Sequence, residues 1–319
     1  MSVNILLDYF ILSVFLSLAV NYIARDFARK KNLLVDLPDK SRKFHKRATP
    51  LTGGISILAA LLISGKLYID LNNLNGFVPE FTYYLMLSSI PLVLVFLIDD
   101  FKNLKASQRL LIQSFFSIYM IYTTGIHIES FGNLFGLGVI NLGIFSIPVT
   151  VFCIVGIMNA FNMIDGVNGL CSGYSMISLL LMSFYSGLIY DSMMILIIGS
   201  IVGFLIFNLR IFGKKRGVFL GDNGSNLIGF WVAWSAIYCS QNELYEVEPI
   251  TMIWFVAIPF LDCIGLIFAR IRKGINVSSP GRDHVHHKLM EKYSPEATLI
   301  IILAVALFTG SFGIFLDNN

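Results

Sequence analysis

Two adjacent carboxylates, Asp99 and Asp100, end the third long apolar run of the sequence. Because neighbouring carboxylates repel each other, one of them is suited to accept a proton as a base. The pair is equally suited to holding a hard cation. The alternative is a polar stop at the end of an apolar segment, which needs no chemistry at all.

A series of amides and a carboxylate ends the fifth apolar run. Asn159 and Asn162 are spaced i, i+3 and share one face of a predicted helix. Asp165-Gly166 and Asn168-Gly169 are strong turn dipeptides. Amide and carboxylate oxygens that converge there could bind a nucleobase or a metal. A tight turn needs only the Asx-Gly pairs and leaves the two helical asparagines unexplained, so the sequence favours a binding site.

Glycine-rich segments open two other predicted helices. Gly53-Gly54 allows the backbone to approach a ligand closely, although packing against another helix is the commoner use of small residues. Asp222 lies at a predicted helix N-terminus, where free N–H groups and the helix dipole favour anions. Asp222 therefore either caps this helix or holds Mg²⁺ against a phosphate that the same N–H groups attract.

Three of the five histidines, His284, His286 and His287, lie within four positions, between Arg282 and Lys288. Histidines beside cations suit contacts to a diphosphate or a sugar. A zinc site is not indicated, because neither cysteine nor HExxH spacing accompanies them. A solvated basic loop is the alternative.

One more carboxylate, Asp262, lies inside the ninth apolar run. A carboxylate in hydrocarbon costs at least about 2.5–3.5 kcal/mol, so Asp262 is expected to face the protein interior and to have a function. It precedes Arg270 by two helical turns and would look toward the same side. A hydrogen bond to another helix is the competing account.

The elements that position these residues follow from the composition. Hydrophobic residues make up 56% of the 319 residues and charged residues only 13%, and the mean hydropathy is +0.75. Soluble proteins are about 45–50% apolar and about 25% charged, which excludes a soluble enzyme and a disordered chain. Porin strands alternate and average far lower hydropathy. The sequence therefore predicts an all-α polytopic membrane protein.

Ten apolar runs are long enough to be spans, since crossing the hydrocarbon takes about 20 residues. We expect one integral membrane catalytic domain over residues 1–319, with a short outer β-hairpin at Phe131–Ser146. The predicted spans are Val3–Ile23, Leu51–Ile69, Phe81–Ile98, Leu110–Ile128, Ile147–Met163, Leu170–Ile189, Met193–Leu209, Gly224–Ser240, Ile250–Ala269 and Leu299–Phe315.

Basic residues predict the orientation. With both termini outside, the inner loops are 24–50, 99–109, 163–169, 210–223 and 270–296, and they hold 22 of the 23 Lys and Arg residues. The net charge of +3 is thus a signal of topology and does not indicate nucleic-acid binding. The polar segments, apart from Asp262, fall on this one inner face. That distribution favours an enzyme with one anionic soluble substrate and one lipid substrate over a transporter, whose polar residues would lie at the midplane.

In order along nearly the whole chain, these segments resemble the polyprenyl-phosphate N-acetylhexosamine-1-phosphate transferases, which include the WecA- and TagO-type enzymes and the peptidoglycan enzyme MraY. The resemblance is carried by six segments: Val35–Pro38, Pro50–Gly54, Asp99-Asp100, Asn159–Gly166, Phe219–Ser225 and His284–His287. Where many bacterial members have Asp-Gly-x-Asp-Gly, this chain has Asn168 at the second acidic position. The His-Val-His-His sequence is closer to the WecA/TagO pattern than to that of MraY.

The resemblance implies a role for each matching residue. Asp99 would be the base for the lipid phosphate, supported by Asp100, and Asn162 and Asp222 would hold Mg²⁺, with Mn²⁺ as a substitute. The nucleotide would lie against Arg47, Asp165, Gly166, Asn168 and Phe219, with Phe219 stacked on the uracil. The loop that closes over the sugar diphosphate would contain Arg282, His284, His286 and His287. Asn159 and Asp262 are further candidates without an assigned role.

The resemblance implies transfer of N-acetylhexosamine 1-phosphate, by default GlcNAc 1-phosphate, from a UDP-sugar to undecaprenyl phosphate, with release of UMP. This reaction would begin synthesis of a surface polysaccharide such as O-antigen, in the inner membrane with the active site toward the cytoplasm. The family also permits a homodimer. Two alternatives stay open: an MraY-like UDP-MurNAc-pentapeptide transferase, and an ion-coupled transporter that uses Asp262.

Overall fold

The computed structural model describes residues 3–37, 48–71, 80–133, 138–187, 192–241, 247–276 and 281–317. Arg47, predicted to contact the nucleotide, lies outside these residues. Twelve helices are present in the described part of the chain. They are α1 (Val3–Lys31), α2 (Gly53–Leu71), α3 (Glu80–Lys102), α4 (Ala106–Thr124), α5 (Ser146–Ile164), α6 (Leu170–Tyr185), α7 (Ser192–Asn208), α8 (Gly221–Gln241), α9 (Thr251–Phe255), α10 (Ala257–Arg272), α11 (Val285–Met290) and α12 (Pro295–Asp317).

Each of the ten predicted spans overlaps a helix, and the ninth overlaps two. Within the described ranges, five helical segments are long and apolar enough to cross a membrane: Leu6–Lys31, Gly53–Leu71, Glu80–Lys102, Gly143–Ile164 and Pro295–Asp317. Two shorter apolar helices, Leu170–Tyr185 and Met193–Asn208, accompany them. The chain is therefore a multi-pass, all-α membrane protein, as its composition predicts.

The ninth predicted span is broken, because α9 ends at Phe255 and α10 begins at Ala257. Pro259 explains the break, since its ring clashes with the carbonyl four residues earlier, that of Phe255, and it donates no N–H. The hydroxyl of Ser178 donates to this carbonyl over 2.7 Å. The N–H of Ile258 donates to the hydroxyl of Tyr174 over 3.2 Å. Side chains of α6 thus satisfy the backbone groups that the break releases, as hydrocarbon surroundings require.

The helices fall into two compact units. The first unit comprises Met1–Asn103 and Tyr190–Leu227, and the second comprises Leu104–Ile189 and Ile228–Asn319, so that α8 begins in the first and continues in the second. In the first unit α1 packs along α7. The hydroxyl of Ser13 donates to the Leu196 carbonyl over 2.7 Å and that of Ser17 to the Ser200 carbonyl over 2.6 Å. Small residues allow this close approach, the usual way in which helices associate in membranes.

In the second unit α5 packs against α4 and α10, and α12 packs against α6 and α9. Here too small residues mark the contacts: a Cβ on Gly310 would lie 2.4 Å from Cδ1 of Leu181, and one on Gly313 would lie 2.5 Å from Cβ of Trp254. The core of this unit is aromatic, with Phe161 and Tyr174 buried edge to face.

Strand structure is minor in the described residues. Two-residue strands β1 (Val35–Asp36) and β2 (Thr49–Pro50) pair antiparallel and close the base of the first basic loop. At the predicted outer hairpin, Ser130 and Asn141 form a single antiparallel bridge, flanked by backbone hydrogen bonds such as that from the Phe131 N–H to the Ile140 carbonyl, 3.0 Å. Residues 134–137 lie outside the described part of the chain.

Candidate active site

The polar centre of the first unit is the junction of α3 with the start of α8. Oδ1 of Asp100 accepts the backbone N–H of Asp222 over 2.7 Å, and Oδ2 accepts that of Asn223 over 3.1 Å. The side-chain amide of Asn223 also donates to Oδ2. Asp100 therefore caps α8 from another helix, satisfying N–H groups that a helix start leaves unpaired.

This cap bears on the alternatives for Asp222, which the sequence predicts either to cap α8 or to hold Mg²⁺ against a phosphate. Two N–H groups of the helix start, those of Asp222 and Asn223, already donate to the carboxylate of Asp100. An anion at this helix start would meet a carboxylate in place of those two amides. These two N–H groups are thus not free for a phosphate, and the role of the Asp222 carboxylate as a magnesium ligand stays a prediction.

Asn223 is a structural centre that the sequence reasoning missed. Its side chain is fully buried. Its oxygen accepts the N–H of Ile55 over 3.1 Å, and its amide donates to the carbonyl of Leu51 over 3.1 Å. One asparagine thus joins the entrance of α2 to that of α8. The only sequence signal is its position between Asp222 and a glycine.

The paired glycines at the start of α2 face protein backbone, so the packing interpretation applies to them. A Cβ on Gly53 would lie 2.7 Å from Cα of Leu220, and one on Gly54 would lie 2.6 Å from Cα of Gly224. The N–H groups of Gly53 and Gly54 donate to the carbonyls of Phe219 and Leu220 over 3.1 and 3.2 Å. The glycines let the two helix starts touch and leave no room there for a ligand.

Besides Asp100, three predicted site residues lie around this junction. Asp99 is fully buried near the end of α3, and Asp222 is half-buried in the first turn of α8. Phe219 is half-buried, and the guanidinium of Arg210 lies over its ring at 5.9 Å from the centroid. Arg210 has a φ of +59°, a backbone conformation that residues other than glycine seldom adopt. Nothing in the sequence indicated this partner of Phe219.

In the second unit, the predicted amide cluster forms the end of α5 and the turn into α6. The amide of Asn159 donates to Oε1 of Gln113 over 2.7 Å and to the Val155 carbonyl over 2.8 Å. Asn159 therefore holds α5 against α4. Asn162 and Asp165 lie half-buried one and two turns further along, and the turn closes with the N–H of Gly166 donating to the Ile164 carbonyl over 2.8 Å.

The histidines form a compact group on the short helix α11. The rings of His284 and His286 are stacked at 5.5 Å with 12° between their planes, and those of His286 and His287 are 4.1 Å apart. His286 is fully buried and lies against the turn after α5, since a Cβ on Gly166 would be 2.2 Å from its Nε2. The structure thus places the predicted histidine loop beside the predicted nucleotide turn.

The environment of His286 and His287 favours the neutral form of both rings. Burial, together with the neighbouring His287 and His284, lowers the pKa of His286 to about 3. Burial also lowers the pKa of His287, and His284 and Arg282 act in the same direction. Neutral rings can each offer one N–H donor and one acceptor nitrogen.

Asp262 is tied to this histidine group. Its Oδ2 accepts from Nδ1 of His284 over 2.8 Å, and its Oδ1 accepts the backbone N–H of Val285 over 2.9 Å. The predicted hydrogen bond from Asp262 to another helix is therefore present, and that helix is the histidine helix. Arg282, by contrast, is exposed just before it.

The predicted metal ligands belong to different units, Asp222 to the first and Asn162 to the second, and their pairing stays a prediction. Within the described residues, no three His, Cys, Asp or Glu side chains come close enough to hold a metal. Mg²⁺ is commonly bound by one or two carboxylates, with water and substrate phosphates completing the shell. The half-buried carboxylate of Asp222 fits a site of that kind.

Residues 81–240 match the family model described as glycosyl transferase family 4. An undecaprenyl-phosphate alpha-N-acetylglucosaminyl 1-phosphate transferase of Yersinia pestis is 35% identical over 300 residues, which are 91% of this chain and 79% of that protein. The proteins of the same name from Escherichia coli K12 and Haemophilus influenzae are 33% and 31% identical, over 92% and 86% of this chain and 80% and 77% of their own lengths.

Proposed function

This chain belongs to glycosyl transferase family 4, and on that premise we propose that it transfers GlcNAc 1-phosphate from UDP-GlcNAc to undecaprenyl phosphate. The observation that carries the proposal is the similarity to transferases of that name over some nine-tenths of the chain. The chain is accordingly an enzyme of the transferase class. It acts on a sugar nucleotide and a lipid phosphate within the membrane, and an MraY-like reaction on a peptide-bearing nucleotide is the less favoured alternative.

The proposed reaction forms one phosphate–oxygen bond and breaks one. An oxygen of the lipid phosphate attacks the phosphorus that carries the sugar, and the diphosphate bond to the nucleotide breaks, releasing UMP. Phosphoryl transfer needs positioning and charge neutralisation more than covalent help from the protein. One diphosphate bond replaces another, so UMP is expected to reverse the reaction readily.

In this proposal Asp99 receives or orients the proton of the lipid phosphate, and Asp100 fixes the α8 start on which Asp222 sits. Asp222 and Asn162 would hold Mg²⁺, or Mn²⁺ in its place, which when bound neutralises the diphosphate. Phe219, backed by Arg210, offers its ring to the uracil. Asp165, Gly166 and Asn168 line the nucleotide pocket, and the histidine group contacts the sugar diphosphate.

We also propose the topology that the basic residues predict. All ten apolar segments would span the inner membrane with both termini outside, a short hairpin near Ser130 and Asn141 on the outer face, and the active site toward the cytoplasm. A single catalytic domain and a homodimer are part of the same proposal. The surface polysaccharide that the product enters would be O-antigen or a related glycan.

One observation favours the transporter in part. The break at Val256 lies six residues before Asp262, and broken helices beside intramembrane carboxylates are typical of transporters. Both carboxylate oxygens of Asp262, however, accept hydrogen bonds from the start of the histidine helix. Asp262 therefore serves the predicted sugar-diphosphate loop, which is consistent with a transferase.

The decisive experiment measures UMP release by purified protein with UDP-GlcNAc, undecaprenyl phosphate and Mg²⁺, and repeats it with Asp222→Ala. Asp70→Ala is the matched control, because Asp70 is an exposed helical aspartate paired only with Lys66 among the described contacts. We expect release by the wild type and by Asp70→Ala, and none by Asp222→Ala or after chelation. Release by Asp222→Ala would move the metal elsewhere, and no release with any UDP-sugar would support the transporter.

A further inference from the structure

Asp262 is held in a geometry that a simple helix cap would not need. Its side chain is 9% exposed, as is that of His284, and each of its two oxygens has one partner at the start of α11. Capping the six-residue helix requires only an acceptor for the Val285 N–H, which serine or asparagine would supply equally well. The second oxygen, 2.8 Å from Nδ1 of His284, has a separate effect.

That second bond determines which nitrogen of His284 carries the proton. An ionised carboxylate can only accept hydrogen bonds, so Nδ1 of His284 must be the donor. In the neutral ring Nε2 is then the acceptor. Carboxylates fix the tautomer and orientation of functional histidines in this way in many enzymes and metal sites.

The orientation of the His284 ring affects that of His286, because the two rings are stacked. The two rings are parallel within 12°. His286 contacts the His284 ring and also lies against the turn at Gly166. Among the described residues, neither ring nitrogen of the fully buried His286 has a hydrogen-bond partner. Buried polar atoms are almost always paired in proteins, so this ring is placed to bond a polar group outside the described residues.

We propose that Asp262 is a positioning residue that sets the Nδ1–H tautomer of His284 and thereby holds the histidine group of α11 in its working arrangement. The proposal rests on the proposed transferase function for its kinetic consequence. The tautomer of the His284 ring can be measured whatever reaction the protein catalyses.

The discriminating variant is Asp262→Asn. Asparagine has the same size, and its oxygen keeps the cap on Val285, but its amide presents a donor to Nδ1 of His284. The ring must then move its proton to Nε2. Loss of such outer partners typically costs about 10- to 100-fold in activity, and we expect UMP release to fall by about that factor with the thermal midpoint little changed.

Two controls separate positioning from general damage. Asp317→Asn changes another carboxylate of the second unit that accepts from a side chain, Tyr185, over 2.5 Å, and should release UMP at the wild-type rate. In a His284→Gln background, Asp262→Asn should cost less than about threefold, because the ring through which it acts is absent. An equal loss in both backgrounds, or a wild-type rate for Asp262→Asn, would overturn the proposal.

A spectroscopic measurement of the His284 tautomer tests the positioning role independently of activity. In ¹⁵N-histidine-labelled protein, the His284 signals are assigned by their disappearance in His284→Gln. We expect the Nδ1–H tautomer in the wild type and in Asp317→Asn, and the Nε2–H tautomer in Asp262→Asn. If no variant releases UMP but the tautomer inverts, the transferase function fails and the positioning role stands. An unchanged tautomer in Asp262→Asn refutes the positioning role whatever the activity.

Discussion

Asp100 and Asp262 each cap the start of another helix, in two regions of the molecule. Each places a carboxylate of one helix at the first turn of another. The capped helices differ. The start of α8 is also fixed by Asn223 and by backbone bonds from Gly53 and Gly54. The helix α11, by contrast, has six residues and carries the buried His286. In the first region internal hydrogen bonds fix the helix start itself, whereas in the second both ring nitrogens of the buried histidine have no partner among the described residues.

The largest effect on stability is expected from removing the Asp100 cap in the first region. Asp100→Ala would leave three N–H donors of Asp222 and Asn223 without their acceptor, and each buried unpaired donor costs about 1–3 kcal/mol. We expect a loss of about 3 kcal/mol or more, read as a lower thermal midpoint in detergent. If Asp100→Ala unfolds at the same temperature as the wild type, the cap is dispensable and the region is less rigid than its bonds indicate.

The next largest effect is a difference in unfolding temperature between two glycine variants, one from each region. A Cβ on Gly54 would meet backbone, 2.6 Å from Cα of Gly224, whereas a Cβ on Gly166 would meet only the His286 ring. Backbone cannot yield as a side chain can, and overpacking costs about 1–3 kcal/mol. We expect Gly54→Ala to lower the unfolding temperature more than Gly166→Ala does, while Gly166→Ala lowers UMP release by displacing the histidine.

Gly156→Ala is the matched control for both glycine variants. It lies in α5 with nothing within 4 Å of a Cβ, and alanine is a better helix former than glycine by about 1 kcal/mol. Its unfolding temperature should equal or exceed that of the wild type. A larger loss for Gly166→Ala than for Gly54→Ala would reverse the comparison of the two regions.

The third effect is the acid sensitivity of the second region. The folded-state pKa of His286 is about 3, below the unfolded value of about 6.5. The unfolded chain therefore binds a proton that the folded chain excludes, and stability is complete above pH 6.5 and falls as pH decreases toward 3. The slope is about 1.4 kcal/mol per pH unit, and the lowered pKa of His287 adds to it.

Unfolding measured between pH 7 and pH 5 tests this. His286→Gln should flatten the decline, whereas His127→Gln, a change to a half-buried histidine just after α4, should flatten it less. A wild-type stability that does not change across this interval would show that folding does not lower the pKa of His286.

The smallest effect belongs to an exposed carboxylate. Asp70 pairs with Lys66 at i, i+4 over 2.7 Å, and both side chains are largely exposed. Surface pairs of this kind contribute at most about 0.5 kcal/mol. Asp70→Ala should unfold within about one degree of the wild type, and a loss approaching that of Asp100→Ala would show that unfolding does not respond specifically to the buried junction.

The sequence predicted the helices well because each is a long apolar run, and it placed the site residues on a few helix ends. It did not predict the break at Val256, although Pro259 was visible, because a membrane helix accepts proline whenever a neighbour supplies hydrogen bonds. Nor did it predict the partners of Asp100 and Asp262. Those lie 122 and 22 residues away in the chain, and spacing along a sequence carries no information about such contacts.

The break between α9 and α10 has a consequence for how the protein is made. Neither α9, with 5 residues, nor α10, with 16, reaches the length of about 20 residues that a span needs. The segment therefore enters the bilayer with exposed backbone groups unless Ser178 and Tyr174 receive it. These partners precede the break by 77 and 84 residues, so during synthesis α6 leaves the ribosome first and can serve as the template on which the broken segment inserts.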